Sequence, residues 1–470
     1  MHTNQDKKKS KSKRVNLGIP RSVVKMNNTT ENYNFFTQNH IPWRNIKSSI
    51  YSQKILKREI EKTNVINDFY TNSNSIIKDF VKTVNSASTK YKTIIFITGR
   101  CFPNLSRQAN FLKKEGFKTF LICMEQMTQV NFKMVENSFD RVLQNCCFYP
   151  TLDKILNSVS PSFFHIQCWM WEYSLGKFVI DKKFKSKVIC DFYDVTGMYA
   201  NYDNLKIAFE EDNIKQDLEC EKYIFENADG IIHRYKQSVF FDYAKRYKNN
   251  GRILEFQQYP LSSPSLNTKS NEKNQKYKFV FCGTLIPPND KKHPPELFST
   301  AGLIYTFEEL LRVGHEINVY LPLNGNREFN NWVFQLNKLY PYKLKIHNFL
   351  PVSELILEIS SYDFGINYQK IDLNKSKVSK YTFKGAMGTK NHTYLEAGLP
   401  VIVNKEFAYH NEIITKNKIG LSLKSEDLPN LGLLISKLNI NELKSNVNKF
   451  NMKNSLFHKG KDLLSFYESL

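Results

Sequence analysis

The chain has 470 residues, of which 41% are hydrophobic and 24% charged, and a formal net charge of +22 at pH 7. That length exceeds one ordinary domain, and the apolar share suffices for packed cores. No run approaches the ~18 consecutive apolar residues of a membrane-spanning helix, and no apolar stretch follows the basic start Met1 to Arg14 as it would in a secretory signal. A cytoplasmic protein is expected. The positive excess favours anionic partners, such as phosphorylated small molecules, anionic lipid or nucleic acid. The eight cysteines include no C-x-x-C pair, and several lie in apolar runs, as suits reduced, buried thiols.

Residues 1–50 carry ten Lys/Arg against two Asp/Glu and show no sustained apolar period. They read as a mobile basic arm. Lys7, Lys8, Lys9, Lys11, Lys13 and Arg14 would suit an anionic membrane surface, and the scarcity of aromatics among them speaks against nucleic acid. Residues 51–90 have apolar positions at three- and four-residue steps, which predicts a helical segment.

At Thr93 the character changes. Thr93–Thr98 is a β-branched apolar run closed by Gly99-Arg100, then comes a helical pattern stopped by Gly116, then a second apolar run to Cys123. Strand, helix and strand in that order predict a parallel sheet covered on both faces. Phe163–Cys168, Lys187–Asp191 and Gly230–His233 continue the strands, with a helix over 213–227 before the last. Residues 260–276 are rich in Ser, Asn and Lys and read as a linker. The alternation then restarts, with strands at Lys278–Cys282, Ile317–Leu321, Lys343–Ile346, Asp363–Tyr368, Val401–Val403 and Ile419–Leu423. The fold class is α/β, with two doubly wound Rossmann-like domains, 91–259 and 277–470, facing a cleft.

Several ligand classes are disfavoured by what the sequence lacks. It has no G-x-G for a dinucleotide, no P-loop, no H-E-x-x-H and no Asp-x-Asp to clamp a metal on a diphosphate. No cofactor and no metal are therefore expected. A bound phosphate would be met by Lys/Arg, backbone N–H groups and helix N-termini.

The densest signal is Thr389-Lys390-Asn391-His392-Thr393-Tyr394-Leu395-Glu396-Ala397-Gly398-Leu399-Pro400-Val401-Ile402-Val403. This stretch resembles the C-terminal domain of GT-B glycosyltransferases, in particular glycosyltransferase family 4. Phe279–Leu285, Leu350–Leu355, Ser361–Ile366 and, in the first half, Glu221–Ile232 are similar to other segments of that family and occur in its order. The resemblance implies a transferase that takes a sugar from a nucleoside diphosphate donor to a hydroxyl of a glycan or lipid-linked acceptor, with retention. It places the donor on the second domain. Glu396 would then grip the ribose, Gly283 and Thr284 would approach the diphosphate, and Lys291, Lys292 and Lys390 would neutralise it. On the first domain Gly99, Arg100, Asp191 and Asp194 lie at strand ends toward the acceptor. His165 either joins them or is a buried core histidine. A sugar-nucleotide epimerase and a non-catalytic scaffold of the same fold, bound to membrane or nucleic acid through the arm, are the alternatives. The lysine-rich stretch Gln369–Met387 is longer than the family's usual loop.

Overall fold

The computed structural model describes residues 64–261, 276–321 and 331–470, apart from positions 101, 126, 128, 145, 147, 148, 171, 183, 184, 289 and 292. The expected arm, most of the linker and Lys292 lie outside the described residues. Among those described, no helix is long and apolar enough to cross a membrane. Six described cysteines, Cys123, Cys146, Cys168, Cys190, Cys220 and Cys282, are buried and are not joined in disulfides.

Two parallel sheets organise the chain. The first contains β1 (Thr93–Thr98), β2 (Lys118–Cys123), β3 (Arg141–Leu143), β4 (Phe163–Cys168), β5 (Lys187–Phe192), β6 (Gly230–His233) and β7 (Arg252–Glu255) in the order β3-β2-β1-β4-β5-β6-β7. The second contains β8 (Lys278–Cys282), β9 (Glu316–Leu321), β10 (Leu344–Asn348), β11 (Phe364–Asn367), β12 (Val401–Asn404) and β13 (Gly420–Leu423), ordered β10-β9-β8-β11-β12-β13. Both orders reverse beside the first strand, between β1 and β4 and between β8 and β11. These are the crevices where open parallel sheets hold ligands.

The strands alternate between two apolar layers, as a sheet covered on both faces requires. Along β1, Ile95 and Ile97 pack with Phe120, Phe164 and the long helix Asn64–Ser88 through Ile77, Phe80 and Val84. Ile94 and Phe96 face the other way, toward Leu105 and Leu112 of the helix Pro103–Lys114. In β8, Phe279 and Phe281 join one layer while Val280 and Cys282 join another with Tyr394 and Leu395.

The expected second domain, 277–470, needs one amendment. The helix Ile440–Lys453 stays on the second sheet through Val447, but the final helix Leu456–Glu468 packs Leu456, Leu463, Phe466 and Tyr467 into the core of the first. At its Gly460 a Cβ would lie 2.3 Å from the Phe111 ring, so the last helix sits directly on Pro103–Lys114. The two chain crossings between lobes touch, because the Leu456 N–H donates to the Pro260 carbonyl at 2.8 Å.

Candidate active site

Lys390 stands at the second position of the helix Thr389–Glu396, which opens from Gly388 without a side-chain cap. The exposed end of such a helix carries partial positive charge and N–H groups suited to an anion. Residues spaced by three and four share a helix face, which divides this helix three ways. Lys390 and Tyr394 turn toward β8, where the Tyr394 hydroxyl accepts from the Cys282 N–H at 2.9 Å. Asn391 turns toward Asn367, which donates to it at 2.9 Å. Thr389, His392, Thr393 and Glu396 face the first lobe.

Gly283 follows β8 with φ +134, a conformation that favours glycine, and a Cβ there would lie 2.6 Å from Lys390 Cε. The bare glycine is what lets the lysine stem lie across the strand end. The half-buried ammonium sits 5.5 Å from the Phe281 ring centre and has no carboxylate partner among the described residues. Burial pushes its pKa below the usual lysine range, and the Arg234 charge pushes the same way.

Arg234 comes from the first lobe, immediately after β6. It pairs with Asp194, donates to the Tyr193 carbonyl, and lies 4.0 Å over the Tyr193 ring. The Tyr193 hydroxyl in turn donates to Thr389 Oγ1 across the lobes at 3.2 Å. His392, 6% exposed, has an unpartnered Nε2; burial, with Arg107, His410 and Arg234 adding to it, holds its pKa down to about 3. His410 accepts the Gly388 N–H at 2.8 Å and is held at about 4 by burial and Arg234. Both imidazoles are neutral at physiological pH, so the positive charge here belongs to Lys390, Arg234 and the helix end.

The expected site residues divide accordingly. Gly283 and Lys390 come together. Thr284 lies exposed beside them, and Lys291 is exposed with no ion pair among the described residues. Glu396, expected at the ribose, is buried, pairs with Arg107 at 2.5 Å, and accepts the Leu261 N–H at 2.9 Å. Both its oxygens are thus engaged in closing the lobes.

On the acceptor side, His165 and Asp191 are internal. His165 Nδ1 lies 2.5 Å from the Tyr467 hydroxyl, and Asp191, 2% exposed, accepts from Gln108 at 2.8 Å. The core-histidine alternative describes His165. Asp194 orients Arg234 and accepts from Trp169 Nε1 at 2.7 Å. Gly99 is buried beneath β1's end, and Arg100 pairs on the surface with Glu125 at 2.9 Å. Arg234, Tyr193, Arg107 and His392 had no role in the sequence reading. Only Arg234 carried a usable signal, as a cation directly after a predicted strand.

Two doubly wound lobes with facing strand ends define the GT-B architecture of glycosyltransferases. Residues 323–460 match the C-terminal domain of glucosyltransferase 3-like proteins. Among solved structures, the chain is similar to Anabaena HepE in complex with UDP-glucose, at TM-score 0.56 and 11% identity, over 80% of this chain and all of that one. It is also similar to the UDP-forming trehalose-phosphate synthase of Burkholderia xenovorans, at TM-score 0.48 and 7% identity, over 80% and 99% of the two chains. A third likeness is to the Methanocaldococcus jannaschii UDP-GlcNAc 2-epimerase, at TM-score 0.46 and 12% identity, over 77% and 98%. No curated protein sequence matches the chain.

Proposed function

We propose that this chain is a glycosyltransferase that moves a sugar from a nucleoside diphosphate donor to a hydroxyl acceptor, with retention and without a metal. The observation that carries the reading is Lys390: a half-buried ammonium on a bare glycine, at a helix N-terminus, with no counter-ion among the described residues. Such a cation is costly until an anion arrives. A diphosphate matches it, and Arg234 brings a second charge from the opposite lobe.

In the reaction the bond from the anomeric carbon to the diphosphate oxygen breaks and a bond to the acceptor oxygen forms. The acceptor's proton passes to the departing diphosphate. Stabilising that leaving group is the main demand, and preorganised charge and N–H donors meet it. Lys390, Arg234 and the helix end supply the positive charge that a metal supplies elsewhere.

Calorimetry with nucleoside diphosphates tests the reading. UDP comes first, because the structure of HepE contains UDP-glucose. Lys390→Met should weaken UDP binding at least tenfold while leaving the thermal midpoint unchanged or higher, since an unpaired half-buried charge is removed. Unchanged affinity, or no nucleotide bound by the native chain, would overturn the assignment. EDTA should leave transfer intact, and a strict need for Mg²⁺ or Mn²⁺ would remove the metal-free part of the proposal.

A further inference from the structure

We propose that a pocket at the crevice of the second sheet binds one sugar unit of an uncharged glycan, so that the acceptor is a carbohydrate; this rests on the transferase reading. The pocket has a volume of about 240 Å³. That is below the roughly 300–1,000 Å³ of sites that enclose drug-sized ligands, and suits a single ring. Its walls come from the segment after β8, as far as Tyr305 in the helix Leu303–Arg312, and from the loop after β11, the pair of strands between which the sheet order reverses.

The lining is matched to hydroxyls and C–H faces. Pro288, Pro295, Ile371 and the half-exposed ring of Tyr305 offer apolar surface. Around them stand two carboxylates, Glu296 and Asp372, and two ammoniums, Lys370 and Lys375, with the Ser376 hydroxyl. Equal numbers of opposite charges give the pocket no net charge, which disfavours a phosphate and favours a ligand that both donates and accepts hydrogen bonds. Sugar hydroxyls do both. Glu296 has no ion-pair partner among the described residues, and the Asp372–Lys375 pair is exposed and long at 3.7 Å, so both carboxylates remain open to a hydroxyl. Lys370 rests over the Tyr305 ring at 4.8 Å, joining the two loops into one wall.

The frame is held in place. The Lys370 N–H donates to the Gly302 carbonyl at 3.3 Å, Lys377 N–H to Glu296 O at 2.8 Å, and Ile371 N–H to Ser425 Oγ at 3.0 Å. The same loop continues to the first lobe, where the Ser379 N–H donates to Tyr199 O at 2.8 Å. A pocket open to solvent and tied by these hydrogen bonds to both lobes is placed to hold a glycan that extends into the cleft.

The test uses the full chain, fluorescently labelled, on an array of oligosaccharides, with Tyr305→Ala/Glu296→Gln as the variant. The native chain should retain a defined set of neutral oligosaccharides, and the variant should lose at least tenfold of that signal. UDP affinity and thermal midpoint should be unchanged, because both residues lie at the surface. No neutral oligosaccharide bound, binding that the variant keeps, or binding confined to sulfated or phosphorylated glycans would overturn the proposal. Failure of UDP to bind the native chain would remove the transferase reading alone, since the array decides the pocket independently.

Discussion

Arg107 and Glu396 bury opposite charges against each other between the lobes, with only 6% and 4% of their side chains exposed. Removing one partner strands the other, so Arg107→Ala or Glu396→Ala should each cost roughly 3–5 kcal/mol. Replacing both with Met and Leu should cost far less, and urea unfolding of the three variants distinguishes this coupling from two independent losses. A Glu396→Ala variant that keeps full stability but loses nucleotide binding would restore the ribose role. Lys390 and Glu396 lie six positions apart in one motif, yet only Lys390 lacks a carboxylate partner among the described residues. Its neighbour Gly283 ends a predicted strand, so local pattern sufficed. The partner of Glu396 lies in another lobe, on a helix whose buried arginine looked like any solvated cation. Charges that find distant counter-ions cannot be told from ligand-seeking ones by spacing alone.

At the scale of elements, the apolar runs marked eleven of the thirteen strands among the described residues, because strands buried on both faces leave a continuous hydrophobic record. β3 and β7 escaped for the same reason in reverse. Arg141–Leu143 spans three residues, and Arg252–Glu255 is bounded by charge and only half-buried. The final helix and its place in the first lobe were not read from the sequence, since an amphipathic pattern shows that a face is buried without showing against what. Its anchor is Tyr467, whose ring packs edge-on against Phe163 and whose hydroxyl meets His165. Tyr467→Phe should leave His165 Nδ1 without its partner and cost about 1–3 kcal/mol. In a thermal melt the first lobe should lose several degrees, and an unshifted midpoint would show that the contact is idle.

Across the whole molecule, buried titratable groups set opposing pH slopes. Burial lowers His233 to about 3, His392 to about 3 and His410 to about 4. The unfolded chain protonates these rings near pH 6.5, so stability should fall as pH drops from there toward the folded values. Burial raises Glu221 to about 7, against the hydrogen bonds it accepts from Tyr243 and from the Gly197 N–H at 3.0 Å. Its contribution is full below pH ~4.5 and is lost as pH rises through about 7. Three groups outweigh one, so the native chain should lose stability on acidification from pH 6.5 to 4.5. Glu221→Gln removes the counter-slope and should steepen that loss, which thermal midpoints at half-unit pH steps will show; a shallower profile would contradict the assignment. The last helix has a different consequence, one of time. On a ribosome adding about 5–20 residues per second, the strands of the first lobe emerge long before Leu456–Glu468, with the whole second sheet made in between. Until then Ile94, Phe96 and Leu105 lack part of their cover. The core of the first lobe is therefore completed only when Leu456–Glu468 has been made.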